Sequence, residues 1–333
     1  MSKNIKEIKK RFIETMTEVA DTYNTCPTDL KRDEYVRISV DIGLEGRLNK
    51  EELNLLGGFT EAKRLFIKPI SGKFSLPKVL IFDIETAPIL GYVWGLWQNN
   101  VGLNQIESDW YVLSWSAKWL GEEEVLYQDQ RNAKNIEDDK KLLNGIWNLL
   151  DEADIVITQN GKSFDVKKLN ARFIINGYEP PSSYRHIDTL QIAKAKFGFT
   201  SKKLAYMTDK LCTSYTKSKH AKFSGFELWK ECMAGNLEAW KEMEDYNRMD
   251  VLSLEELYEK MSPWDDSINF NAYHASLNNV CTCGNDKYKK AGFHVTNSGK
   301  FQRYKCTKCG KETRDNENML SKNKRDSLFR RTL

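Results

Sequence analysis

The chain changes its hydrophobic rhythm twice. Near the start, Ile5, Ile8, Phe12, Met16, Val19 and Tyr23 recur every three or four positions, the spacing of one helix face. After the breaking run CPTD at Cys26–Asp29, short units of the same period return. In NKEELNLLGG, Asn49 stands where a helix N-cap would, Glu52 follows three residues later, and a glycine pair can stop the helix. FTEAKRLF then reads as one more short helix, so residues 1–75 are expected to form a small helical module.

From Lys78 the pattern becomes that of strands. KVLIFDIE, GYVWGLWQ, WYVLSWSAKWL and EVLYQD are β-branched and aromatic runs separated by glycine, asparagine and acidic breaks, which predicts a meander. Leu142, Leu143, Ile146, Leu149 and Leu150 restore the helical period, DIVITQN reads as a short strand, and DVKKLNARFIING as a helix ending at Asn176 and Gly177. A long helix follows in EMEDYNRMDVLSLEELYEKM, with an apolar stripe through Met243, Tyr246, Leu254, Leu257 and Met261. Strands and helices alternating after a meander predict an α/β unit, a mixed sheet flanked by helices, over residues 78–262. Residues 275–315 hold two cysteine pairs, and the polar, basic run 316–333 is expected to be a flexible tail.

Composition narrows the classes. A chain of 333 residues that is 40% hydrophobic can bury the cores of two or three domains. No apolar run approaches a membrane span, and MSKNIKEIKKRFIETM lacks the apolar block of a signal peptide, so the expectation is a cytoplasmic protein with no membrane partner. The net charge of +4 is unevenly spread: residues 1–80 carry 15 basic and 12 acidic residues, 81–280 carry 22 and 30, and 281–333 carry 14 and 5. A basic C-terminal region after an acidic middle is the footprint expected for contact with a polyanion, or else a solvated terminus.

Within the apolar blocks, four acids are out of place. Asp83 and Glu85 are two apart in a strand and so point to one face, where two buried carboxylates need an Arg or Lys fork or a metal ion between them. Asp165 sits between a strand and a helix, and Asp250 interrupts the stripe of the long helix, four residues after Tyr246. Each acid alone could be exposed or paired with a base. Together they suit Mg²⁺ or Mn²⁺, and two such ions about 3.5–4 Å apart serve phosphodiester hydrolysis.

FDIET, NGKSFD and YNRMD resemble the three motifs of the DEDD 3′ to 5′ exonucleases, in the subclass that has tyrosine in the third motif. HIDTLQIAKAKFG and YNRMDVLSLEELYEKMSPW are similar to the YprB-like branch, and DEYVRISVDIGLEGRLNKEELNLLGGFTEAKRLF to small helical DNA-binding modules found beside phage nucleases, the alternative for residues 1–75 being a module that packs or docks a protein partner without touching DNA. The resemblance covers residues 78–262. It implies a ribonuclease H-like fold, two Mg²⁺ or Mn²⁺ ions, and a nucleic acid substrate, DNA ahead of RNA. It also implies roles: Asp83 bridges both ions, Glu85 and Asp250 hold the ion that activates water, and Asp165 helps to hold the second. Tyr246 orients the water and helps to deprotonate it. Phe164 packs beneath the site, and Asn160 positions the turn or the terminal nucleotide. His186 and Asp188 fall outside the metal set, with Asp188 expected to be a structural hydrogen-bonding residue.

Of seven cysteines, Cys26, Cys212 and Cys232 are isolated and read as small buried residues. Cys281, Cys283, Cys306 and Cys309 form two close pairs about twenty residues apart, the pattern of a zinc ribbon holding one structural Zn²⁺. The first pair is C-x-C where C-x-x-C is usual, and His294 is a substitute ligand to consider. YKKAGFHVTNSGKFQRYKC between the pairs predicts a hairpin turning at Asn297–Gly299, on which Lys300 and Arg303, among aromatic residues, are candidate nucleic acid contacts; protein docking is the other use of such a surface. The rivals to a 3′ to 5′ exonuclease are a structure-selective endonuclease on the same fold and a non-catalytic nucleic-acid-binding or recruitment protein.

Overall fold

The computed structural model describes residues 77–215, 222–273 and 279–328. The expectations for residues 1–75 and for Cys26 lie outside them.

Strand β1, Val79–Thr86, is the axis of a five-stranded mixed sheet. Strands β4 (Val112–Trp119) and β5 (Val125–Asp129) extend it antiparallel on one side. On the other side β6 (Ile155–Thr158) and β7 (Arg185–Asp188) run parallel to it, so the order is β5-β4-β1-β6-β7. The parallel half needs crossovers, which helices α1 (Lys140–Glu152) and α2 (Asp165–Ile175) supply. After β7 come α3 (Thr189–Lys196), α4 (Leu204–Leu211), α5 (Glu227–Met233) and the 25-residue α6 (Leu237–Met261). Asn236 starts α6, its side-chain oxygen accepting from the N–H groups of Glu238 at 3.0 Å and Ala239 at 3.4 Å.

The period-2 geometry of β1 sorts its side chains between two cores. Val79 and Ile81 pack with Ile155, Ile157 and Ile187 against Val251, Leu254 and Met261 of α6. Leu80, Phe82 and Ile84 pack on the opposite face with Leu143 and Ile146 of α1 and Leu169 and Phe173 of α2. Each such side chain contributes roughly 1.5–3 kcal/mol when fully buried. Alternation then places Asp83 and Glu85 on the α6 face. Helix α1 lies so close to the sheet that a Cβ at Gly145 would meet the Trp115 ring at 2.6 Å, which is why glycine stands inside this helix.

GYVWGLWQ is not the strand its composition predicts. Only Leu90–Gly91 (β2) pairs, with Ile106–Ser108 (β3), and the residues between form an arm on which Trp94 and Trp97 are 102% and 87% exposed. High β-propensity reflects packing on a half-buried sheet surface, and no sheet face is presented to this run.

A separate three-stranded antiparallel sheet follows, ordered β10-β9-β8 from Glu312–Arg314 (β10), Gly299–Cys306 (β9) and Tyr288–Thr296 (β8). The β8–β9 turn is at Asn297–Ser298, with Thr296 opposite Gly299. Of the run 316–333 expected to be a flexible tail, residues 329–333 lie outside the described residues; in the described part the Met319 N–H donates to the Lys300 carbonyl at 2.8 Å, and Lys322–Asp326 forms a short helix, α7.

Candidate active site

Asp83, Glu85 and Asp250 each present a carboxylate oxygen, and these lie within 4.8 Å of one another. The cause is local: β1 projects the first two toward α6, and Asp250 lies on the helix face that packs back on β1. Asp165, the fourth acid expected, is not one of that group of three and approaches it from the parallel side of the sheet. It opens α2 just beyond β6, and its Oδ1 accepts from the Ile84 N–H at 3.3 Å, which ties it to the backbone between the two β1 acids.

The electrostatics follow from burial. The Asp83 carboxyl is raised well above the usual carboxylate range, first by burial and then by Asp165, Glu85 and Asp250. Asp165, buried at the head of its helix, is pushed up to about 6. The Tyr246 hydroxyl is raised by burial and by the charges of Asp250, Glu85 and Asp83, so it keeps its proton at neutral pH. An oxygen-only donor set whose charges oppose one another fits a divalent cation such as Mg²⁺ or Mn²⁺.

Two residues that sequence reasoning passed over complete the site. Asn247, fully buried on α6, donates from Nδ2 to Asp83 Oδ2 at 2.7 Å and accepts from Ser114 Oγ at 3.3 Å. Its position three before Asp250, on the same helix face, was the available signal. Trp229 of α5 donates from Nε1 to Glu85 Oε2 at 3.1 Å, and its ring stands edge-on to Tyr246 at 6.0 Å. Nothing in ELWKECM marked it.

The NGKSFD turn serves the backbone. Asn160 is left-handed at φ 66°, its N–H bonded to Asp188 Oδ1 at 2.9 Å, and a Cβ at Gly161 would fall 2.2 Å from Thr158 Oγ1. Asp188 also accepts from the N–H groups of Lys162 at 3.2 Å and Leu190 at 3.0 Å, which is the structural role expected of it. His186 bonds Thr158 Oγ1 at 2.8 Å, and burial lowers its pKa to about 4. Phe164, at the N-cap position of α2, is 41% exposed, and the Lys168 ammonium lies 5.7 Å over its ring.

Beside the acids lies a cleft of about 570 Å³ lined by Thr86, Pro88, Trp110, Lys168, Phe226 and Trp229. The Lys168 ammonium sits 3.6 Å over the Trp110 ring, and partial burial lowers its pKa.

The four C-terminal cysteines converge, their sulfurs within 4.8 Å of one another. Cys281 and Cys309 are 3.4 Å apart and Cys283 and Cys306 3.7 Å, close to the ~3.8 Å edge of a tetrahedron with metal–sulfur bonds of about 2.3 Å. The C-x-C spacing does not prevent closure. His294 is outside this group, on β8 opposite Phe301. Lys300 and Arg303 of β9 are distant in sequence from the acids and already engaged within their own sheet. The Lys300 ammonium lies 4.1 Å over Phe293, while Arg303 donates to the Ala291 carbonyl at 2.8 Å and pairs with Glu312 at 3.4 Å. The isolated Cys212 and Cys232 are buried, as expected.

Among described residues, no helix is long and apolar enough to cross a membrane. No curated protein matches the chain. Among solved structures, a family B DNA polymerase from the hyperthermophilic archaeon Pyrobaculum calidifontis is similar at 13% identity, over 56% of this chain and 25% of that one, with a TM-score of 0.41. The chain thus spans about a quarter of the length of that polymerase. A family model described as RNase_H superfamily matches residues 80–262, the span that holds the sheet, the four acids and Tyr246. That match covers more than half of the chain and agrees with the mixed sheet and flanking helices: the chain belongs to the RNase_H superfamily.

Proposed function

We propose that residues 78–262 form a divalent-metal-dependent nuclease that removes nucleotides from the 3′ end of nucleic acid, DNA ahead of RNA. The observation that carries this is the convergence of Asp83, Glu85 and Asp250 within 4.8 Å, with Asp165 acting electrostatically on Asp83. Such a cluster is costly without a cation, and the cleft beside it has room for a nucleotide. The 3′ polarity rests on the resemblance of FDIET, NGKSFD and YNRMD to the tyrosine-type DEDD exonucleases.

In this reading Asp83 would serve both of two Mg²⁺ or Mn²⁺ ions, with Glu85 and Asp250 holding one and Asp165 the other. When bound, such ions lower the pKa of water and stabilise charge on the attacking and leaving oxygens of a phosphodiester. The chain's own groups then position the reactants. Asn247 fixes the rotamer of Asp83, and Trp229 fixes that of Glu85. Tyr246, bonded to Asp250, would orient the attacking water and help to deprotonate it. The cysteine cluster is assigned one structural Zn²⁺, since four protein ligands leave no open position.

The test is a time course on 3′- and 5′-labelled single- and double-stranded DNA and RNA with Mg²⁺ or Mn²⁺, beside Asp83→Ala. Stepwise shortening from the 3′ end, lost in the variant, is expected. Equal activity of Asp83→Ala would overturn the site, and opening of a circular DNA would replace exonuclease by endonuclease. Tight binding with no release of nucleotides under either metal would leave a binding protein.

A further inference from the structure

From Thr86 to Ile106 the chain carries no charged residue, although 29% of the whole chain is charged and residues 81–280 hold 30 acids. This stretch leaves the catalytic strand one residue after Glu85 and returns at β3. Its base is a built hairpin: the Tyr92 and Gln105 backbones bond at 2.8 Å, and Gln105 Nε2 donates to the Tyr92 carbonyl at 2.8 Å. Beyond it stand Tyr92 at 69%, Trp94 at 102% and Trp97 at 87% exposure, with Gln98 turned at φ 56°. Exposed aromatic residues on this scale mark a surface that meets a partner.

Continuity identifies the partner. Ile89 lines both the cleft beside the acids and a groove of about 280 Å³ formed with Val93, Val101 and Ile106 under the arm. A strand whose end lies in the cleft would therefore pass along the arm. The surface offers flat rings for bases, amides of Gln98, Asn99 and Asn100 for base edges, and no carboxylate to repel phosphates, with the Lys168 ammonium at the cleft wall. Base–aromatic stacking needs an unpaired base, since a duplex keeps its faces covered.

We propose that the arm from Ile89 to Leu103 is a stacking track for unpaired bases of the strand whose end occupies the cleft. The choice of that strand as occupant rests on the nuclease reading. The track is what makes a single-stranded end the preferred ligand over a blunt duplex.

The test uses the full chain carrying Asp83→Asn, so that the strand survives, with and without Trp94→Ala/Trp97→Ala. Both tryptophans lie outside the core, so the arm variant is expected to fold, checked by an unchanged circular dichroism spectrum. Anisotropy of a labelled, unstructured ten-nucleotide DNA is expected to show roughly tenfold or greater weakening in the arm variant. Affinity for a blunt duplex should not change, and the quenching of intrinsic tryptophan fluorescence by the strand should be smaller in the arm variant, where only the cleft rings Trp110 and Trp229 remain to be quenched. Equal affinity of the two proteins for the unpaired strand overturns the proposal. So does a shift from dimer to monomer, or loss of binding to anionic vesicles, caused by the arm variant while strand affinity stays constant, because the arm would then serve a second copy or a lipid surface. Binding is read without cleavage, so failure of the nuclease reading shows separately in the Asp83→Ala time course.

Discussion

Trp229 Nε1 donates to Glu85 Oε2 at 3.1 Å, so a residue of a short helix outside the three motifs orients a carboxylate of the site. The same ring borders Tyr246 and lines the cleft. Trp229→Phe keeps most of the ring and removes the donor. A hydrogen bond to a charged group contributes about 1.5–3 kcal/mol, so nuclease kcat should fall roughly ten- to hundredfold. The Mg²⁺ concentration for half-maximal activity should rise with it. A fall in kcat at unchanged metal dependence would show that the ring, and not the N–H, is what matters.

Asn247 is held between Asp83 and Ser114 with no solvent access, so its replacement should be read in both stability and metal binding. Asn247→Leu leaves Asp83 Oδ2 and Ser114 without that partner and should cost about 1–3 kcal/mol in unfolding free energy. Asn247→Asp adds a negative charge to the cluster. Its melting temperature should fall below wild type without metal and recover with millimolar Mn²⁺. Calorimetry with and without the ion checks this, and a metal-independent melting temperature in Asn247→Asp would argue against a cation among these acids.

His186 supplies a pH dependence away from the acids. Its folded pKa of about 4 lies below the ordinary value of 6.5 because it is buried neutral against Thr158. The unfolded chain therefore binds the extra proton first, and stability should decline as pH falls from about 6.5 toward 4. The full effect of such a shift is at most about 3 kcal/mol, less for incomplete burial. His186→Gln should flatten that part of the unfolding profile, measured by denaturant titration at pH 7, 6, 5 and 4.

The cysteine geometry predicts stoichiometric metal. Mass spectrometry under native conditions should find about one Zn²⁺ per chain, and a strong chelator should expose four additional reactive thiols. Cys283→Ser tests the unusual C-x-C half directly. Its zinc content should drop at least tenfold, whereas His294→Ala, outside the cluster, should retain the ion.

Much of this was legible in one dimension because its causes are periodic. Alternation along VLIFDIET put Asp83 and Glu85 on one face, and helical spacing put Tyr246 and Asp250 on another; cysteine spacing marked a cluster that the sheet register then closed. GYVWGLWQ misled because β-propensity reports the fit of a residue to a half-buried surface, and whether such a surface is offered is not a local property.

What the chain determined by itself, then, were its elements, the chemistry of its acids and thiols, and which side chains share a face, since these follow from periods of 2 and 3.6 residues. Only the tertiary structure decided which faces meet. Packing Val79 and Ile81 of β1 on Val251 and Leu254 of α6 brought Asp250 to Asp83 and seated Asn247 between Asp83 and Ser114. A helix 144 residues from Glu85 in sequence supplied Trp229, and an uncharged arm was left exposed beside the cleft. Those contacts join residues far apart along the chain, and a hydrogen bond across such a separation leaves no periodic mark in the sequence.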